Sequence, residues 1–194
     1  MFDVAIVGGG PAGASCAAFC AEAGLQTAVL EREKFPREKV CGDCLNPACW
    51  PILRRLGLAE RVRTSPHVKL TRVDFIGLGG RSVSVELPAG DDAEMAIKRS
   101  LFDPLILDRA RELGATVFES TTVTALSSPD PRTDYWKISA GGQTFQARTL
   151  VAADGRNSTV ARLCGLLPRN TKERIALQTH LPLPAGFEIG RAHV

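Results

Sequence analysis

The sequence predicts an α/β domain: a Rossmann-like parallel sheet with antiparallel strands inserted into it. Three observations carry that prediction. A strand, glycine loop, helix and second strand open the chain; period-two segments around glycine-rich turns interrupt it; and an apolar strand ending at Asp154-Gly155 returns to the sheet. The 194 residues allow one ordinary domain, or one and a half small ones. At 44% hydrophobic and 23% charged residues, the composition is that of a globular chain. Lys and Arg number 24 against 21 Asp and Glu, for a net charge of +3, which is too even for a nucleic-acid-coating protein. No nucleic-acid partner is expected, and the expected partner is a small-molecule substrate.

Residues 2–7 (FDVAIV) form a mostly apolar run, as in a strand buried on both faces of a parallel sheet. A helix from about Pro11 to Ala23 follows, with Gly24 as its stop, and residues 26–31 (QTAVLE) make the second strand. Together they form a β-α-β unit of about 30 residues. The polar stretch 32–43 carries four Arg or Lys side chains. Asn46 can cap a helix with Pro47 at its first position, running to about Leu56, and Pro51 either kinks it or delays its start. Residues 68–76 and 81–87 alternate around Gly77, Gly79 and Gly80 as a hairpin, and 94–98 is a short strand leading to Arg99.

Ser100 is placed to cap a long helix with an apolar stripe of Leu101, Leu105, Ile106, Ala110 and Leu113, ended by Gly114. Residues 116–119, 121–126, 135–139 and 144–147 read as strands. Residues 149–153 (TLVAA) read as a separate, buried strand, and a short helix runs from about Ser158 to Cys164. No run approaches the roughly 18 apolar residues of a membrane span, and no basic, cleavable leader precedes residue 2. A reduced, cytoplasmic protein is expected, since the six cysteines do not space like a disulfide scaffold.

Gly8-x-Gly10-Pro11-Ala12-Gly13 lies between a strand and a helix, the context in which this motif means dinucleotide binding in a Rossmann-like unit. Gly8 permits the tight turn, Gly10 lets the backbone approach a pyrophosphate, and Gly13 lets the helix pack on the strands. Free N–H groups and partial positive charge at the helix start hold the phosphates. Glu31 ends the second strand 18 positions after Gly13, where its carboxylate accepts from ribose hydroxyls and repels a 2′-phosphate. Arg99 supplies a permanent forked cation, and Asp154 at a strand's carboxyl end faces the ligand crevice.

The chain resembles the FAD-dependent oxidoreductases that include p-hydroxybenzoate hydroxylase-type monooxygenases, flavin halogenases and geranylgeranyl reductases. Four places carry the resemblance: Gly8 to Gly13 with Glu31; Lys39-Val40-Cys41-Gly42-Asp43; Lys98-Arg99-x-x-Phe102-Asp103-x-x-Ile106; and Ala153-Asp154-Gly155-x-x-Ser158. It extends over nearly all of residues 1–166, with Ile106 where relatives more often carry leucine. It implies FAD as cofactor and NAD(P)H as electron donor. It also implies Arg99 over the adenosine-diphosphate part, the backbone near Val123 on the adenine, and Asp154-Gly155 on the pyrophosphate side. Arg32, next to Glu31, and Lys39 and Gly42, in the stretch near the flavin, join this expected site.

Domain organisation follows. Residues 1–166 are an FAD-binding domain whose inserted strands at about 66–98 belong to a substrate layer, and 167–188 begin the substrate-domain sheet. Residues 189–194 read like one frame of a common sequencing adapter, so the expected natural chain continues beyond about Glu188. On that expectation the domain is C-terminally truncated, holds FAD weakly and does not turn over.

The stretch from Lys39 to Asp43, with Asn46-Pro47, is most similar to the geranylgeranyl-reductase branch, which carries a Cys-Gly pair after the second strand. Four roles stay open for Cys41: a structural thiol, a site-lining group that is not a nucleophile, a redox pair with Cys44, or a zinc ligand with Cys44 and Cys49. Zinc lacks a cleanly spaced fourth ligand, and no metal is expected. Cys41 is the one catalytic candidate, while Cys16 and Cys20 on the first helix read as buried packing. The branch implies reduction of a hydrophobic, prenyl or polyketide-like substrate. A monooxygenase or halogenase is the alternative, and a non-catalytic dinucleotide-binding module a further one. A lipid substrate would bring peripheral membrane contact without insertion.

Overall fold

The computed structural model describes residues 1–41, 43–129 and 134–167; the expected adapter-like tail and the start of the substrate-domain sheet lie outside them. In chain order the elements are β1 (Phe2–Val7), α1 (Pro11–Glu22), β2 (Thr27–Leu30), β3 (Cys44–Leu45), α2 (Trp50–Arg55), α3 (Ala59–Thr64), β4 (Val68–Lys69) and β5 (Arg72–Ile76). Then come β6 (Ser82–Glu86), β7 (Met95–Ala96), α4 (Arg99–Glu112), β8 (Thr116–Phe118), β9 (Val123–Ser127), β10 (Trp136–Ala140), β11 (Gln143–Ala152) and α5 (Thr159–Leu163). Two compact units divide the chain: residues 1–38 with 102–167, and residues 39–101.

The first unit is built on a six-stranded sheet in the order β8-β2-β1-β11-β10-β9. β8, β2, β1 and the second half of β11 are parallel, and β10 and β9 add antiparallel strands at one side. This is the parallel sheet with antiparallel strands that the sequence predicts. β1 lies between β2 and β11, so Val4 to Val7 are buried, with Ala5 and Ile6 fully so. α1 turns Gly13, Ala14, Ala17 and Ala18 inward. Side chains this small let the helix axis approach the strands. Beyond its end, Gly24 N–H bonds to the Ala21 carbonyl and Leu25 N–H to that of Cys20, closing the helix.

The sheet core is Ala5, Val7, Leu30, Val123, Ile138, Ala140, Phe145, Ala147 and Val160. Phe118 stands edge-on to both Phe2 and Phe145, at 6.3 and 4.9 Å between ring centroids.

Several boundaries differ from expectation, each for a physical reason. Residues 144–147 and 149–153 are not two strands but the single ten-residue β11, because Arg148 between them sits exposed in extended backbone without breaking it. Ala147 is the hinge of its pairing, opposite Trp136 on β10 and Phe2 on β1. Past Ala147 only β1 continues alongside, so Leu150 and Val151 are half-buried rather than buried.

Helix α4 starts at Arg99, one residue before the expected cap Ser100, and Leu101 N–H bonds to the Lys98 carbonyl. Pro104 inside it has no N–H for the Ser100 carbonyl. Its buried face is Phe102, Asp103, Ile106, Leu107 and Ala110, while Leu101 is 38% exposed. An apolar-stripe reading passes over this face because a carboxylate sits in the middle of it. Cys16 and Cys20, expected to be buried, are half-buried.

In the second unit β7 is the middle of a three-stranded sheet, β3-β7-β4, and β5 pairs with β6. The expected strand 68–76 divides between these two sheets: Leu70 N–H bonds to the Glu94 carbonyl and the Thr71 carbonyl accepts from Leu87 N–H. Asn46 caps as expected, its Oδ1 accepting from Ala48 N–H at 2.9 Å, but what it starts is a 3-10 turn, Pro47–Cys49. The α-helix proper begins only at Trp50, with Pro51 in its first turn. Short helix α3, which the periodicity does not announce, completes this region. Trp50 is fully buried, donates to the Ala93 carbonyl at 3.2 Å, and carries the Arg63 guanidinium 4.9 Å from its ring centre.

Replacing Ile138 by Ala in the fully buried sheet core should destabilise the chain by about 2–5 kcal/mol. Ile52→Ala, at a side chain 48% exposed, should cost no more than about 0.5 kcal/mol. Denaturant midpoints of the two variants against the parent check this ordering.

Candidate functional site

The glycine loop joins β1 to α1 at the carboxyl end of the parallel strands, where open α/β sheets bind ligands. Gly8 has φ +105°, a left-handed backbone that side chains rarely adopt, and a Cβ there would overlap the Ala153 carbonyl. A Cβ at Gly13 would overlap the Gly8 carbonyl oxygen and press on the Ala153 side chain. The loop is therefore held open by hydrogen atoms alone where β1, α1 and the end of β11 converge. Gly10 is the N-cap of α1 and offers no side-chain acceptor to the first turn, and Pro11 has no N–H to satisfy. The N–H groups that follow, beginning at Ala12, receive no capping hydrogen bond from a side chain at the N-cap. Bare backbone of this kind fits an anionic pyrophosphate.

Glu31 is only 5% exposed. Its Oε2 accepts from Gly9 N–H at 2.6 Å and its Oε1 from Glu33 N–H at 2.9 Å. The carboxylate expected to meet a ribose is thus also the clip that fixes the glycine loop. Each oxygen keeps a further lone pair for a hydroxyl. The backbone of Glu31 is pinned too, its N–H to the Phe118 carbonyl and its carbonyl to Thr121 N–H. Arg32 reaches Glu33 at 3.4 Å with its side chain largely exposed.

Asp154 lies just past β11. Its Oδ1 accepts from the Ser158 hydroxyl at 2.6 Å, and its Oδ2 accepts from the N–H groups of Thr159 (2.6 Å) and Val160 (3.2 Å). Ser158 in turn caps α5 through Ala161 N–H at 2.9 Å. These bonds make Asp154 the organiser of the β11–α5 turn, with Gly155 at φ +84° beside it. Val123 opens β9 with its side chain in the sheet core.

The first unit thus holds Gly8, Gly10, Pro11, Ala12, Gly13, Glu31, Arg32, Val123, Asp154 and Gly155. Lys39, Cys41 and Arg99 belong to the second unit, and Gly42 lies outside the described residues. There Cys44 Sγ donates to Glu94 Oε1 at 2.5 Å. Partial desolvation, then that hydrogen bond and the Glu94 charge, push the Cys44 thiol up to about 11. Cys16 is likewise raised, by desolvation and by its neighbour Cys20. No group of three or more candidate metal ligands occurs among the described residues. One buried side chain that sequence reasoning passed over is Arg37, paired with Asp103; only its place in the basic stretch after β2 marks it in the sequence.

Fold and loop together define a dinucleotide-binding α/β domain. Comparison with known proteins says which kind: residues 1–183 match the family described as FAD binding domain, and the chain belongs to it. It is the FAD-binding domain of the flavin-dependent oxidoreductase, halogenase and monooxygenase group.

A menaquinone reductase from Mycolicibacterium smegmatis is 30% identical over 191 residues, covering 96% of this chain and 46% of that protein. A 1H-pyrrole-2-carbonyl-(peptidyl-carrier protein) chlorinase from Pseudomonas fluorescens is 30% identical, covering 85% and 42%. Among solved structures, CmlS, a flavin-dependent halogenase, superimposes with a TM-score of 0.72 at 33% identity, covering 84% of this chain and 31% of that one. The chain spans less than half the length of these relatives. No helix among the described residues is long and apolar enough to cross a membrane.

Two outcomes check this geometry. Gly13→Ala should lose FAD binding outright in a fluorescence titration, because its Cβ displaces the Gly8 carbonyl. Cys44, with its pKa near 11 rather than 9.0, should alkylate at pH 8 about 100-fold more slowly than an ordinary thiol. The thiol form is the one the fold stabilises, so this contribution is intact below pH 9 and fades as pH rises through 11. Glu94→Gln should raise the alkylation rate only in part, since the desolvation of Cys44 remains, followed by mass spectrometry of the Cys44 peptide.

Proposed function

We propose that the chain is the cofactor-binding part of an NAD(P)H-driven flavoenzyme that reduces a hydrophobic substrate. The observation that carries this reading is the match to menaquinone reductase along 96% of the chain. The Lys39-Val40-Cys41-Gly42-Asp43 stretch supports the same branch.

FAD, when bound, supplies the electron chemistry. In this reading the chain's own residues bind and orient it. The backbone from Gly10 to Gly13 and the start of α1 take the pyrophosphate, and Glu31 takes the ribose hydroxyls while clipping the loop. Arg99 holds the adenosine-diphosphate part, the backbone at Val123 borders the adenine, and Asp154-Gly155 border the pyrophosphate side. Arg32 lines the approach to these groups. Cys41 lines the reacting region without acting as a nucleophile. The enzyme works in the cytoplasm and touches a membrane only at its surface, if its substrate is a lipid.

A second reading, a flavin halogenase or monooxygenase, is favoured by the likeness to CmlS. Anaerobic mixing of the FAD-loaded full-length protein, of which this chain is the cofactor-binding part, with NADH or NADPH, followed at the flavin absorbance band, separates the readings. Bleaching by NAD(P)H and reoxidation by a quinone without oxygen is the expected result. Reoxidation only by oxygen, with a halide or hydroxyl group appearing on an aromatic acceptor, would move the protein to the second reading.

A further inference from the structure

The loop between β2 and the second unit contains a buried guanidinium with one arm unused. The Arg37 side chain is 14% exposed, its Nη2 lies 3.2 Å from Oδ2 of the fully buried Asp103, and its Cζ stands 4.9 Å from the centre of the Phe35 ring. Its Nη1 is buried and has no hydrogen-bond partner among the described residues. Buried donors are nearly always satisfied, and an exception in a folded protein asks for a ligand or an ordered water.

The position of the loop says which. It leaves β2 at Glu31 and is tied over the end of β8 by Phe35 N–H to Glu119 Oε1 at 2.7 Å and by Ser120 N–H to the Glu33 carbonyl at 3.3 Å. β8, β2 and β1 are parallel neighbours, so this loop and the glycine loop leave the same edge of the sheet. That edge is where α/β sheets take dinucleotides. Asp103 balances the charge of Arg37 and Phe35 fixes its plane, leaving a desolvated fork whose free arm suits an oxygen acceptor.

We propose that Arg37 is a further cofactor-binding residue, donating from Nη1 to a phosphate or ribose oxygen of bound FAD, with Asp103 as the residue that positions it. The assignment rests on FAD binding by this chain. Arg37→Lys tests it, because lysine keeps a cation for Asp103 but has no second arm.

The expected result is a ligand-free melting temperature close to that of the parent, with FAD binding weakened about tenfold or more in a flavin fluorescence titration. Titrating the parent and the variant with ADP and with FMN shows which half of FAD holds the acceptor, as the half whose binding weakens. A variant that melts like the parent and binds FAD equally well would overturn the proposal and leave Nη1 to water.

Should the variant fail to fold, the parent chain still decides. Its Arg37 guanidinium nitrogen signals should shift on adding FAD, and signals unmoved at saturating FAD overturn the assignment. A parent chain that takes up no FAD overturns the functional reading as well, which sets that failure apart from the failure of Arg37 alone.

Discussion

The absence of side chains at Gly8 and Gly13 is the constraint on which the first unit depends. Strand β1 ends beside the end of β11, α1 begins just after the loop, and the Gly8 carbonyl lies where a Cβ of residue 13 would be. Without those side chains the helix start packs closely on the strand ends, its first N–H groups left without a side-chain cap. Glu31 then holds the loop through Gly9, and a Cβ on Gly9 would come within 3.3 Å of the same side chain, which would have to give by a few tenths of an ångström. Binding geometry and folding geometry are here one set of contacts, so a substitution that relaxes one disturbs the other.

Around this centre, the acids of the first unit act as fasteners. Glu31 clips the glycine loop, Asp154 ties down the β11–α5 turn, Glu119 holds the loop after β2, and Asp103 holds Arg37 inside the protein. Glu119 also pairs with Arg111 of α4 at 3.1 Å. Each carboxylate fixes a connection at or near the carboxyl end of the sheet, the region that must be ordered before a ligand arrives. A preorganised edge spends less of the binding energy on ordering loops.

Much of this was legible in the sequence. The β1-loop-α1-β2 unit follows from local signals alone: an apolar run, glycines at fixed offsets, and an acid at the second strand's end. The sheet class followed because the strand at 149–153 has the same character. What stayed hidden depends on partners distant in the chain. No local signal says that Arg148 will lie inside one long strand, since that is decided by β10 on one side and β1 on the other. Asp103 made the buried face of α4 unreadable, because a carboxylate on such a face makes sense only once Arg37, 66 positions away, is seen beside it. The break at Leu70-Thr71 is of the same kind: the alternation is continuous, and two different sheets compete for it.

The continuous β11 strand has a consequence for how the protein is made. β1 leaves the ribosome well before its neighbour on one side, a strand some 145 residues later, from Phe2 opposite Ala147 to Val7 opposite Ala152. At roughly 5–20 residues per second, translation withholds that neighbour for about 7–30 seconds. Through that interval the nascent chain carries an apolar strand with one open edge, the kind of surface on which chaperones act and at which neighbouring chains stick together. Expression yield should therefore respond to chaperone supply and to slower growth at low temperature more than to any single substitution on the finished surface.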